Sequence, residues 1–170
     1  MIICNLFLLL FVIIAAGMDL STSRIDNRWI LFGITTGMLA RLLQSGMTGL
    51  LSAAAGMICP ILLLGWLFVF RMLGAGDIKL FCAIGAWMGS REITYGIFYA
   101  MLVGSGLSLM ILLGNGILWE RLLYFRNYVK EVWTTKKIMP YRKGGTERIE
   151  NFHFSIPILC SVVLYLGGIY

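Results

Sequence analysis

The chain has 170 residues, of which 59% are hydrophobic and 13% are charged, and its mean hydropathy is +0.88. A soluble domain is nearer half apolar and a quarter charged, so this composition excludes an ordinary soluble protein. The net charge is +6, but the basic residues lie next to apolar segments, which favours membrane lipids over nucleic acid as their partner. We therefore predict an all-α, polytopic membrane protein that forms a single domain over residues 1–170.

Six apolar segments approach the roughly 20 residues that a bilayer crossing requires. They are Ile2–Met18, Trp29–Leu43, Gly49–Phe70, Ile78–Gly89, Ile93–Leu118 and Phe152–Tyr170. The second and fourth are short, and a re-entrant path is an alternative for both. The first segment lacks the basic region that precedes the apolar core of a signal peptide, so we expect it to be retained as a helix.

The basic residues are divided unequally between the two sides that six crossings define. One side has the connection after the first segment, the turn after the third and the stretch 119–151, and it carries twelve of the 14 lysines and arginines. The other side has only Arg41 and Arg91. By the positive-inside rule the first side is cytoplasmic, and both termini are therefore expected outside.

Residues 119–151 form the one sizeable polar stretch. Its apolar residues recur at helical spacing among basic residues, namely Leu122, Phe125, Val129 and Val132. This pattern is typical of an amphipathic helix lying on a membrane surface, where anionic lipid binds the basic side chains. We expect a cytoplasmic basic loop that contacts membrane lipids.

The glycines predict a tight bundle. Gly33 and Gly37, like Gly85 and Gly89, have the GxxxG spacing that lets two helices approach closely in lipid. The four cysteines, by contrast, are scattered singly, and His153 has no partner at metal-ligand spacing. We therefore expect neither a metal site nor a cofactor.

Two of the eight acidic residues lie at predicted membrane borders. Asp19 ends the first segment, and Asp77 opens the fourth within the sequence GAGDIKL. Because the second and third segments cross the membrane once out and once back, both carboxylates are expected at the cytoplasmic level. An ionised carboxylate near hydrocarbon costs up to about 2.5–3.5 kcal/mol, so a pair at one depth suggests function.

If the two carboxylates face each other, repulsion and partial desolvation favour a pair that shares one proton. Such a pair can hydrolyse a peptide bond, because one carboxylate takes a proton from water while the other protonates the scissile carbonyl. Gly74 and Gly76 permit backbone angles closed to other residues and allow a substrate chain to come close to Asp77.

Other interpretations of these residues stay open at this point. Asp77 can be a helix N-cap, and Asp19 can be a polar stop at the end of a span, near Arg24. A small ion-coupled transporter or channel can also use intramembrane acids, although none of these lies mid-span and no internal repeat is evident. A non-catalytic assembly partner is a third hypothesis.

At these same residues the chain resembles the type IV prepilin peptidase family of GxGD membrane aspartyl proteases. The matching pieces are Asp19 with the sequence RIDN at 24–27, and GAGDIKL at 74–80. The resemblance implies that Asp19 and Asp77 are the catalytic pair. It also implies motif or substrate-binding roles for a supporting set that consists of Gly74, Gly76, Lys79, Arg24 and Asn27.

The family resemblance also implies a substrate and a location. Members remove the leader peptide from pilin-like precursors at the cytoplasmic face of the prokaryotic inner membrane. The chain lacks the insert with paired CxxC motifs of larger members, so it resembles the short, peptidase-only branch that serves tight-adherence (Flp-type) pili. N-methylation of the product is accordingly not expected.

One departure from the family pattern concerns the first aspartate. Asp26 stands where the family usually has proline, and it is a rival to Asp19 because only seven residues separate them. We prefer Asp19, which is nearer the apolar boundary and matches the motif. Lys79 is two residues from Asp77, so on a helix it points elsewhere and is expected to extend to the membrane interface.

Overall fold

The computed structural model of the chain describes residues 2–70, 72–116, 118–135 and 153–170. Within these ranges all regular secondary structure is helical, which confirms the all-α class. The helices are α1 (Ile2–Thr22), α2 (Asn27–Val69), α3 (Ala75–Met88), α4 (Ser90–Gly114), α5 (Leu118–Thr135) and α6 (Ser155–Leu166). Three stretches are long and apolar enough to cross a bilayer: Cys4–Thr22, Asn27–Val69 and Ser90–Gly114.

Helix α2 is one long helix with a break, where two separate segments were predicted. Its 43 residues correspond to about 65 Å of helix, roughly twice the thickness of the bilayer core. At Gly46 the backbone has φ 61° and ψ −141°, which lies outside the helical region and is accessible mainly to glycine. The predicted segments Trp29–Leu43 and Gly49–Phe70 are therefore the two arms of α2, joined at this residue.

Helix α3 packs against both arms of α2 through glycines. A methyl group on Gly56 or on Gly85 would overlap the carbonyl oxygen of the other residue, so the two backbones are in direct contact there. On the other arm, a methyl group on Gly37 would overlap the Trp87 ring, whose Nε1 donates a hydrogen bond to the Gly33 carbonyl at 2.9 Å. The close helix packing predicted from GxxxG spacing is thus confirmed for Gly33, Gly37 and Gly85.

The far end of α3 is held by an arginine from α2. Gly89 ends α3 with φ 88°, a left-handed conformation, so its role is helix termination as well as the predicted close packing. The guanidinium group of Arg41 donates from Nε to the Trp87 carbonyl at 2.7 Å and from an Nη to the Met88 carbonyl. Arg41 thereby satisfies carbonyl groups that lack partners at a helix C-terminus and compensates the helix dipole.

Helices α1, α4 and α6 complete the bundle around a common core. The Phe11 and Trp29 rings stack at 5.4 Å between α1 and α2, and Trp29 Nε1 donates to the Phe11 carbonyl at 3.2 Å. Helix α6 packs against α1 and α4, and Phe154 lies against Gly104. The common core is formed by buried side chains of α1, α3, α4 and α6, which include Leu8, Val12, Ala15, Leu80, Phe81, Ile84, Ile93, Ile97, Ile158 and Val162.

Helix α5 covers the described part of the stretch predicted to be amphipathic, and residues 136–151 of that stretch lie outside the described residues. It exposes a row of large apolar side chains, among them Trp119, Phe125 and Trp133. Phe125 and Trp133 also line a groove of about 580 Å³ together with Trp66 of α2 and Phe70, the residue that follows this helix.

We expect Gly85→Ala to lower the thermal stability of the detergent-solubilised protein. The added methyl group meets the backbone of Gly56, which cannot move aside as a side chain can, and overpacking of this kind costs about 1–3 kcal/mol. Gly65→Ala is the matched control, since a methyl group on Gly65 has no neighbour within 4 Å. Equal melting temperatures for the two variants would contradict the backbone contact between α2 and α3.

Candidate active site

Asp19 lies in the last turn of α1, which continues to Thr22 and so extends beyond the predicted end of the first segment. Its side chain is 14% exposed. It contacts one residue that precedes α6 and the first residue of α6. The Ser155 hydroxyl donates to Asp19 Oδ2 at 2.7 Å, and His153 Nδ1 lies 3.3 Å from the same oxygen. The sequence interpretation assigned no role to Ser155 or His153, because residues more than 130 positions away carry no local signal of proximity.

Asp77 lies in the first turn of α3, as predicted. The backbone N–H of Gly74 hydrogen-bonds to the Asp77 carboxylate, and a methyl group on Gly74 would lie 3.0 Å from Asp77 Oδ2. Gly74 has φ −73° and ψ 145°, which any residue adopts, and Gly76 is helical, so the predicted special backbone angles are wrong for both. The close contact with the carboxylate, rather than the backbone conformation, favours glycine at position 74.

Burial and, after it, the negative charge of Asp19 together raise the pKa of Asp77 from 3.8 to about 6. The Gly74 N–H and the charge of His153 oppose this rise. Asp77 precedes the apolar run of α3 and lies outside the three long apolar stretches. Because the charge of one aspartate affects the ionisation of the other, the two carboxylates lie within electrostatic range at one end of the bundle.

Two of the supporting motif residues contact each other. Lys79 Nζ donates to Asn27 Oδ1 at 2.9 Å, which joins the N-terminal part of α3 to the first residue of α2. The predicted orientation of Lys79 away from Asp77 agrees with this contact. Arg24 is exposed in the connection between α1 and α2, where its carbonyl accepts a hydrogen bond from the Thr22 hydroxyl at 2.9 Å.

Asp26, the rival to Asp19, has a local structural contact. It is exposed and forms the N-cap of α2, where its carboxylate accepts a hydrogen bond from the backbone N–H of Arg28 at 2.9 Å. Such caps contribute about 1 kcal/mol to helix stability. Asp77, by contrast, is not an N-cap, because the N-cap of α3 is Gly74, which makes no side-chain cap bond.

The described part of the chain contains no cluster of three His, Cys, Asp or Glu side chains suited to holding a metal ion. What the site does contain is a pair of interacting carboxylates, and burial together with the charge of Asp19 raises the pKa of Asp77 to about 6. Two carboxyl groups of this kind can exchange protons with a water molecule and with a polar substrate between them.

The model of the type IV leader peptidase family matches residues 6–125, which include both aspartates, most of α1, all of α2 to α4 and the first part of α5. The chain is also 34% identical over 96 residues to the prepilin leader peptidase/N-methyltransferase of Bacillus subtilis (strain 168). That alignment covers 55% of this chain and 38% of the relative, so the chain matches well under two thirds of the relative's length. No solved structure matches significantly. On the family match, which spans more than half of its residues, the chain belongs to the type IV leader peptidase family.

Proposed function

We propose that the protein is a multi-pass membrane endopeptidase that removes the leader from pilin-like precursors, with Asp19 and Asp77 as its catalytic pair. The observation that carries the proposal is the electrostatic interaction between these two carboxylates, which raises the pKa of Asp77 beyond the effect of burial. Membership of a leader peptidase family and similarity to a protein named as a prepilin leader peptidase support the substrate class.

The reaction follows from a carboxylate pair that holds a single proton. The ionised carboxylate removes a proton from a water molecule, and the water oxygen attacks the carbonyl carbon of the scissile bond. The other carboxyl group donates its proton to the carbonyl oxygen, which gives a neutral tetrahedral diol. When the C–N bond breaks, the leaving nitrogen takes the proton from one carboxyl group while a hydroxyl of the diol gives its proton to the other carboxylate, so that the pair returns to its one-proton form. Neither a metal ion nor a covalent intermediate takes part.

The proposed site faces the cytoplasm. Twelve of the 14 basic residues fall on the side to which we assign both aspartates and α5, with both termini on the other side. Exposed aromatic residues of α5, such as Trp119 and Trp133, suit contact with the membrane surface, and Lys130 suits anionic headgroups. A precursor whose apolar segment stays in the bilayer can then present its polar leader at the membrane interface.

Substitution of either aspartate is expected to abolish cleavage of a co-expressed pilin-like precursor. Asp19→Asn and Asp77→Asn each remove a proton-transfer group and are expected to reduce the rate by about 10³-fold or more. Asp26→Asn is the matched control, because asparagine also caps helices and is expected to retain cleavage. Leader removal is read on a gel as a shift in precursor size.

Cleavage that persists in both Asp19→Asn and Asp77→Asn would refute the catalytic assignment. Cleavage that survives the loss of Asp19 but not of Asp26 would identify Asp26 as the true partner of Asp77. A metal chelator is expected to leave the wild-type rate unchanged, and inhibition that added divalent metal reverses would contradict a metal-free mechanism.

The rate is expected to fall as the pH rises above about 6. Burial favours the protonated form of Asp77, whose pKa is about 6, and raising the pH through this value removes the proton that the pair shares. The wild-type kcat/KM should therefore decline by up to about tenfold per pH unit on the alkaline side. The measurement is the initial cleavage rate in detergent across this range, and a rate that keeps increasing well above pH 6 would contradict the one-proton pair.

Cysteine labelling tests the orientation in the membrane. In a background without Cys4, Cys59, Cys82 and Cys160, Asn127→Cys places a thiol on the exposed surface of α5, and Ser45→Cys places one beside the break in α2. A membrane-impermeant maleimide should label Ser45→Cys in spheroplasts and Asn127→Cys only after the membrane is disrupted. The opposite result would invert the proposed topology.

A further inference from the structure

We infer that Ser155 and His153 are positioning residues that hold the Asp19 carboxylate through one of its oxygens and stabilise its negative charge, so that Asp19 activates the water and Asp77 donates the proton. This inference rests on the proposed function and assigns a separate role to each member of the pair. The residues that carry it come from the start of α6 and the residue two positions before it, outside the range 6–125 that the family model matches.

Ser155 is placed to stabilise a negative charge on Asp19. It is fully buried, with 0% exposure, and its hydroxyl donates to Asp19 Oδ2 at 2.7 Å. A hydroxyl hydrogen bond to an ionised carboxylate is roughly twice as strong as one to a neutral acceptor, so this contact favours the charged form. In a buried position the hydroxyl has no water to replace Asp19, so the bond also fixes the orientation of the carboxylate.

His153 acts on the same oxygen. Its Nδ1 lies 3.3 Å from Asp19 Oδ2, and a protonated imidazole at this distance stabilises the ionised carboxylate as an ion pair. Among the described residues, both side-chain contacts to the Asp19 carboxylate are made to Oδ2. The other oxygen, Oδ1, is thereby left for the reacting water.

Asp77 has the opposite environment. Burial disfavours its charge and the negatively charged Asp19 faces it from α1, whereas the Gly74 N–H before α3 and the charge of His153 oppose these two effects only in part. Lys79, the nearest cation along α3, donates instead to Asn27 at 2.9 Å. The pair therefore has a charge-stabilising side at Asp19 and a proton-retaining side at Asp77, which is the asymmetry that an acid and a base require.

Ser155→Ala tests the inference, and Ser161→Ala is its matched control. Ser161 is equally buried on the same helix, but its hydroxyl lies near Tyr170 and not near the site. We expect Ser155→Ala to lower kcat about 10- to 100-fold with little change in KM, because a hydrogen bond to a charged group is lost. The acidic limb of its pH–rate profile should move to higher pH, while Ser161→Ala keeps the wild-type kcat and profile.

His153→Ala provides a second readout at a partly exposed position. It should move the acidic limb in the same direction, and the combined variant should lose less than the product of the two single effects, because both residues act on one carboxylate oxygen. If Ser155→Ala does not fold, as judged by size-exclusion chromatography, His153→Ala alone decides the question through its pH profile. Wild-type kcat and profile in both single variants would overturn the inference.

The outcomes separate this inference from the proposed function. If the wild type cleaves the precursor and both aspartate variants do not, the peptidase assignment stands whatever the serine variants show. Equal kcat and pH profiles for Ser155→Ala and Ser161→Ala would then overturn only the positioning role. Loss of activity in Ser155→Ala with an unmoved acidic limb would also overturn it, because that pattern indicates general destabilisation.

Discussion

Mutual repulsion between two partly buried carboxylates is the constraint on which the site depends. Neither Asp19 nor Asp77 has an arginine or lysine beside its carboxylate among the described contacts, so no such ion pair cancels the repulsion. Asp19 instead has a hydroxyl donor and a nearby imidazole, whereas Asp77 has one backbone N–H and a pKa raised to about 6. The repulsion is relieved most simply when one of the two carboxyl groups keeps its proton.

The rest of the bundle brings these two side chains to the same end by two different kinds of packing. Helix α3, which carries Asp77, lies against α2 with backbone on backbone at Gly56 and Gly85. Helix α1, which carries Asp19, is separated from α2 by aromatic rings such as Phe11 and Trp29, and it also packs against α6. The site therefore lies where α3, which packs on α2 through glycines, meets α1, which packs on α2 through aromatic rings.

The sequence was sufficient for the parts of this arrangement that follow from hydropathy and spacing. Alternation of apolar segments put Asp19 and Asp77 at one level, and GxxxG spacing identified Gly85 as a packing residue. It was insufficient where a role depends on tertiary contact: Ser155 reaches Asp19 across 136 positions. The two arms of α2 also looked like separate segments, because a helix that breaks at a single glycine has the same hydropathy profile as two helices with a short loop.

The backbone contact between Gly56 and Gly85 has a consequence for how the enzyme can move. The two backbones are in direct contact at these glycines, with no side chains between them that could rearrange. We therefore expect α2 and α3 to move together as one rigid body. Stacked rings can slide and rotate over one another with little loss of contact. A change in the separation of the two carboxylates during a reaction cycle should therefore come from displacement of α1 with α6, which makes the aromatic interface the hinge and Asp77 the fixed point.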